Sequence, residues 1–200
     1  MPGAEVGDGL TDEELATRAA AGGDHAFAAL VDRHQAGVYR LVRLLVGRDD
    51  LAEDVLQQTF VSAWRAIGGF RGEASVRTWL YTIARHAAWK ARAAQADAPV
   101  GGLETSDLEA LGLAAGWGRD NPEEQAMRAE ARAQIRAAFA ALSAEDREIL
   151  TLRDLEGLSG DEAARLLGVG LPAMKSRLHR ARLRLAAVIR KEGGHAAGRA

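Results

Sequence analysis

Four side chains near the C-terminus, Lys175, Ser176, His179 and Arg180, carry the donors and acceptors that base edges require. On a helical wheel of about 100° per residue they fall together, opposite Met174, Leu178, Ala181, Leu185 and Val188. Arg177, Arg182 and Arg184 flank this polar face and suit phosphates. A basic helix alone is as readily a solvated face. The short capped helix before it, opened by Ser159 with Glu162 and closed by Gly168, makes a helix-turn-helix pattern and shifts the reading towards duplex DNA.

A second chemistry is written between Phe70 and Arg92. A helix from about Thr78 to Arg92 is expected to bury Leu80, Ile83, Ala84, Ala87 and Ala91. That leaves Thr78, Thr82, Arg85, Trp89 and Arg92 outward, with Tyr81 and His86 beside them. Aromatics interleaved with cations suit single-stranded bases, and the polar loop from Phe70 to Arg77 has the composition to cup a flipped base. Trp79 reads as a core aromatic and Trp89 as an exposed one.

A third face lies on residues 50–67, where Ala52, Val55, Leu56, Thr59, Phe60, Ala63 and Ile67 group inward. Asp54, Gln57, Gln58, Val61 and Arg65 point out, a mixture found on protein-binding helices as well as on ordinary solvated ones. Catalysis has little to stand on. His25, His34, His86, His179 and His195 show no metal-ligand spacing, no phosphate-binding glycine loop follows a strand, and Ser62, Ser143, Ser159 and Ser176 read as caps or surface positions. No cofactor or metal is expected.

These faces need helices to present them. The 200 residues are rich in Ala, Leu, Arg and Glu and poor in aromatics, which favours an all-α chain of two small domains. Thr11 with Glu14 opens a short helix ending near Gly22 and Gly23, and a long one over 25–46 buries Phe27, Leu30, Val31, His34, Val38, Leu41, Val42 and Leu45 before Gly47. Pro99, Gly101, Gly102, Gly112, Gly116 and Gly118 mark a flexible linker. The expected division is a first domain over 1–94, a linker over 95–121, a second domain over 122–192 and a tail over 193–200. Within the second, Asn121-Pro122 opens one helix, and Ser143 with Asp146 restarts another.

The formal net charge of -2 argues against a nucleic-acid partner only if charge is spread evenly. It is not, because Asp and Glu are absent from Ala74 to Ala96 and from Ala163 to Lys191. Cysteine is absent as well. No run approaches the roughly 20 apolar residues of a membrane span, so a cytoplasmic protein without membrane insertion is expected.

The segment LSAEDREILTLRDLEGLSGDEAARLLGVGLPAMKSRLHRARLRL resembles the sigma-factor region that reads the minus-thirty-five promoter element. LAEDVLQQTFVSAW is similar to the sigma segment that docks on the clamp helices of the RNA polymerase largest subunit, and FRGEASVRTWLYTIARHAAWKARA to the minus-ten recognition and melting region. Gly160, Gly170 and Pro172-Ala173 depart from the family pattern, Gln58 replaces a more usual Glu, and Trp89 and Lys90 are unusual for it.

In family order, these matches identify the chain as similar to the extracytoplasmic-function (ECF) group of bacterial sigma factors. The resemblance implies that core polymerase is bound through Asp54, Gln57, Gln58, Val61 and Arg65. It implies minus-ten contacts from Phe70, Arg71, Ser75, Val76, Arg77, Thr82, Arg85, Trp89 and Arg92, and minus-thirty-five contacts from Lys175, Ser176, Arg177, His179 and Arg180. Its implied partners are core RNA polymerase, promoter DNA and an anti-sigma factor, with no catalysis by the chain. A repressor or response regulator using only the helix-turn-helix, and a pure protein-interaction bundle, are the competing readings.

Overall fold

A computed structural model describes residues 9–94 and 122–196, with side chains over 9–94 and 130–191. The expected flexible linker at 95–121 lies outside the described residues. The chain divides into two units, Met1–Pro99 and Val100–Ala200, and all described regular structure in both is helical.

The first unit holds α1 (Asp12–Ala20), α2 (Asp24–Val46), α3 (Asp49–Ala66) and α4 (Val76–Ala93). The capping box at Thr11 forms as expected. Its hydroxyl accepts from the Glu14 amide at 3.2 Å, while the Glu14 carboxylate accepts from the Thr11 amide at 2.7 Å, which holds the Glu14 carboxyl below its usual range. Helix α2 ends where Gly47 turns left-handed at φ 81°.

Helices α2, α3 and α4 pack on one another in all three pairings, and α1 lies against α2. The core they close contains Leu30, Val38, Leu41, Val42, Val55, Ala63, Leu80 and Ala84, all buried. Thr59 is wholly buried too, and stays satisfied because its hydroxyl donates to the Val55 carbonyl of its own helix at 2.7 Å. His34, expected within the apolar face, is kept there by a polar partner, its Nε2 lying 2.7 Å from Asp12 Oδ2. Arg33 bonds the other Asp12 oxygen at 3.0 Å and the Leu10 carbonyl at 2.8 Å, so α1 is tied back onto α2.

Helix α4 differs from expectation. It begins two residues earlier, at Val76, and it is turned by nearly one residue's step. The buried set is Val76, Thr78, Leu80, Tyr81, Ala84, Arg85 and Ala88, whereas Ile83, Ala87 and Ala91 are only half-buried. The cause is that α4 is packed against both α2 and α3, so it must bury a wide arc. Polarity alone does not expose a side chain whose polar group is bonded, as Thr78 shows with its hydroxyl 2.9 Å from that of Ser75.

The second unit holds α5 (Pro122–Ala140), α6 (Ala144–Leu150), α7 (Gly160–Leu167) and α8 (Leu171–Ala196). Ser143 caps α6, accepting from the Asp146 amide at 3.1 Å, and Ser159 caps α7 through a second capping box with Glu162. After α6 the backbone widens into a π turn, Thr151–Leu155, which nothing in the sequence reading anticipated. Gly168, at φ 68°, ends α7 and leads into α8, where Met174, Leu178 and Ala181 are buried as expected. Gly160 is a tight position. A Cβ there would lie 3.1 Å from Leu171 Cδ1 and 3.2 Å from Met174 Cε, so a larger residue would require these two side-chain tips to shift by a few tenths of an ångström.

Thr59 and Leu41 offer a test of this packing. Leu41→Ala is expected to cost about 2–5 kcal/mol through the cavity it leaves. Thr59→Val should change stability by less than about 1 kcal/mol, because its hydroxyl is bonded only within its own helix. Urea unfolding of both variants checks the pair, and comparable losses would mean that the Thr59 hydroxyl supports more than Val55.

Candidate functional site

Three surfaces carry the expected residues, two on the first unit and one on the second. On α3, the inward stripe of Ala52, Val55, Thr59 and Ala63 leaves Asp54, Gln57, Gln58, Val61 and Arg65 exposed, as the wheel expected. Val61 keeps 44% of its surface in water, an apolar group in a polar setting. Gln58 donates to Ser62 at 3.1 Å, one turn along.

The wheel missed Trp64, which is 39% exposed and meets the Phe27 ring edge-on at a centroid distance of 4.9 Å. Its spacing from Gln57 and Val61 places it on the same stripe, and that spacing was the available signal. Beside the stripe, between α3 and α4, runs a groove of about 660 Å³ lined by Leu51, Asp54, Val55, Gln58, Ile83 and Lys90 among others.

The second surface is the loop before α4 and α4 itself. Phe70 is half-buried with its ring 5.2 Å from that of Trp79, so the two aromatics pack on each other. Arg71 is exposed, and Gly72 makes the sharp turn at φ 69°. Ser75 is the N-cap of α4, accepting from the Thr78 amide at 3.3 Å. Val76 and Arg77 therefore belong to the helix and not to a loop, and Val76 is wholly buried.

Along α4, Thr82 is half-buried and donates to the Thr78 carbonyl at 2.9 Å. Arg85 was expected outward and is instead 9% exposed, its guanidinium stacked 3.7 Å from the Trp89 ring centroid. Thr78 and Tyr81 are buried as well, for the reason given above. Trp89 is exposed as expected, at 48%. Arg92 is half-buried and donates to the Leu45 carbonyl at 3.2 Å, tying the end of α4 to α2. Of the residues expected on this surface, Val76, Thr78, Tyr81 and Arg85 are withdrawn from it.

The third surface is the start of α8. Lys175, Ser176, His179 and Arg180 are exposed on one side, and Arg180 donates to Ser176 Oγ at 2.6 Å. The flanking arginines are not equivalent. Arg177 is half-buried with Glu145 3.7 Å away. Arg182 Nε donates to Asp154 at 3.0 Å, and those bonds raise its already high pKa. Arg184 Nη1 lies 2.8 and 2.7 Å from the two carboxylate oxygens of Asp146, which is buried. Two of the three arginines expected at phosphates thus hold α8 onto the π turn and α6, leaving the first turns of the helix as the open cationic end.

Comparison with known proteins fits this geometry. Residues 30–97 match the family Sigma-70 region 2, and residues 132–185 match Sigma-70, region 4. The chain is 35% identical over 177 residues to the ECF RNA polymerase sigma-E factors of Escherichia coli (strain K12) and Salmonella typhi, covering 86% of this chain and 91% of each of those proteins. To the sigma-E factor of Haemophilus influenzae it is 34% identical over 175 residues, covering 86% and 92%.

Among solved structures, CnrH in complex with the cytosolic domain of CnrY aligns with a TM-score of 0.63 at 26% identity, over 90% of this chain and 97% of that one. The sigma factor RpoE of Bartonella quintana, solved with the anti-sigma factor NepR, shares the fold with a TM-score of 0.60 at 22% identity, over 82% and 96%. A match to region 2 removes the repressor and simple-bundle readings, since neither accounts for the first unit. With both sigma regions in order and identity across most of its length, the chain belongs to the extracytoplasmic-function sigma factors, which direct core RNA polymerase to promoters for transcription initiation.

Proposed function

We propose that the three surfaces divide the work of initiation. The outer stripe of α3, Asp54, Gln57, Gln58, Val61 and Arg65, docks on the clamp helices of the largest polymerase subunit. The loop from Phe70 to Ser75 and the open side of α4, with Arg77, Thr82, Trp89 and Arg92, hold the separated minus-ten strand. Lys175, Ser176, His179 and Arg180, with Arg177 at the edge, read the minus-thirty-five duplex. On this reading residues 1–94 and 122–192 act as separate modules joined by 95–121.

The observation that carries the reading is the α3 stripe, five exposed side chains including a bare valine on a helix whose other face is core. A surface with an apolar group at its middle and polar groups around it has the make-up of a protein interface. Among the described residues no helix is long and apolar enough to cross a membrane. We take the chain to act in the cytoplasm as a binding factor without catalysis of its own, the role its sigma-factor family implies. RpoE of Bartonella quintana was solved in complex with an anti-sigma factor, and we propose an anti-sigma factor as a partner of this chain too.

Run-off transcription from a template library with purified core enzyme tests the whole: specific transcripts are expected only when the chain is added. A core enzyme that gains no promoter selectivity from it would refute the reading. Asp54→Ala combined with Gln57→Ala is expected to weaken core binding about tenfold or more at unchanged thermal stability, as loss of central interface contacts does. Unchanged affinity in a titration rejects α3 as the docking helix.

The start of α8 separates base contacts from structural arginines. Arg180→Ala should cost about 1–3 kcal/mol of promoter affinity and relax specificity at one base pair. Arg184→Met should leave that affinity within about twofold, yet lower stability by about 1–3 kcal/mol by stranding the buried Asp146 carboxylate. Uniform weakening by Arg180→Ala across all sequences would assign it to a phosphate, and loss of DNA affinity in a stable Arg184→Met would place Arg184 on the DNA.

A further inference from the structure

Trp89 keeps nearly half its surface in water while Arg85, one turn earlier on the same helix, is almost wholly buried beneath it. This inverts the usual order, in which the arginine is outside and the aromatic inside. The guanidinium carbon lies 3.7 Å from the indole centroid, in van der Waals contact with one face of the ring. No Asp or Glu occurs from Ala74 to Ala96, and Lys90 and Arg92 stand next to the indole in sequence.

We infer that Arg85 and Trp89 together form a preassembled stacking platform for one unpaired nucleobase, with Arg85 as a positioning residue that never touches the base. The inference rests on the proposed reading of α4 as the face that holds the separated strand. A lone surface tryptophan samples several rotamers and must be ordered when a base arrives. Packed on a buried guanidinium, it is ordered beforehand, and that part of the binding cost disappears.

One indole face is taken by Arg85, and Trp89's exposure leaves surface for a second planar group. The occupant is a base and not an apolar protein side chain because the neighbouring charges are cationic and would sit against phosphates. The base must be unpaired, since a base within a duplex already has both faces stacked. Stacking of this kind tolerates any of the four bases, so the platform adds affinity for opened DNA without adding a sequence requirement.

The test uses the full chain and a fluorescein-labelled, random-sequence DNA strand of about 12 nucleotides, a length within the usual single-strand site sizes, with the corresponding duplex as control. Binding is read by anisotropy at low salt. Trp89→Ala is expected to weaken single-strand binding about tenfold, and Arg85→Met roughly threefold to tenfold, with duplex binding unchanged for both. In a Trp89→Ala background, Arg85→Met should add nothing. Arg85→Lys, which keeps the charge but loses the plane, should fall between wild type and Arg85→Met and serves as the deciding variant if Arg85→Met fails to fold.

A spectroscopic arm reports on the indole itself. The emission assigned to Trp89, taken as the difference between wild type and Trp89→Phe, should become more accessible to acrylamide when Arg85 is replaced. Full single-strand affinity in both Arg85 variants overturns the platform, as does an Arg85 effect that persists undiminished without Trp89. A Trp89→Ala variant, or a wild type, that shows no single-strand component sinks the underlying reading of α4 instead, and so is distinguishable.

Discussion

The mutual packing of α2, α3 and α4 is the constraint from which the first unit's surfaces follow. Each helix surrenders the side that meets its neighbours, and only the remainder is available to a partner. For α3 the surrendered side is the small-residue stripe of Ala52, Val55, Thr59 and Ala63, which brings the backbones close and sends Asp54, Gln57, Val61 and Arg65 outward. For α4 the surrendered arc is wider, and it takes in Thr78, Tyr81 and Arg85 along with the aliphatic residues. Burying Arg85 is tolerable because its flat, weakly hydrated guanidinium can lie against an aromatic ring as well as against a carboxylate.

Electrostatics divide the second unit in a similar way. The acid-free run from Ala163 to Lys191 looks uniformly basic along the sequence, but the acids that balance it come from elsewhere in the same unit. Asp146 from α6 and Asp154 from the π turn hold Arg184 and Arg182. The largely exposed Arg182–Asp154 pair contributes about 1 kcal/mol or less to stability, whereas the Arg184 pair matters more because its Asp146 carboxylate is buried. Their larger effect is to cancel positive charge along the middle of α8 and concentrate the uncancelled part at its start, where Lys175, His179 and Arg180 stand. The π turn matters to this arrangement, since it is the segment from which Asp154 reaches α8.

The sequence by itself determined the α-helices, though not the π turn after α6, and two of the three faces. Capping boxes at Thr11 and Ser159, the Ser143 cap and the left-handed glycines at 47 and 168 are signals contained within a few residues, so no knowledge of neighbours is needed to read them. The outward residues of α3 and of the start of α8 were legible because apolar and polar positions there separate cleanly on the wheel. Tertiary structure decided the rest. The orientation of α4 depends on its being flanked by two helices, the fate of Arg182 and Arg184 on acids 28 and 38 residues away, and the burial of Val76 on where the helix begins. A wheel sorts residues by polarity, whereas burial is settled by which polar groups find partners, and those partners lie on other elements of the fold.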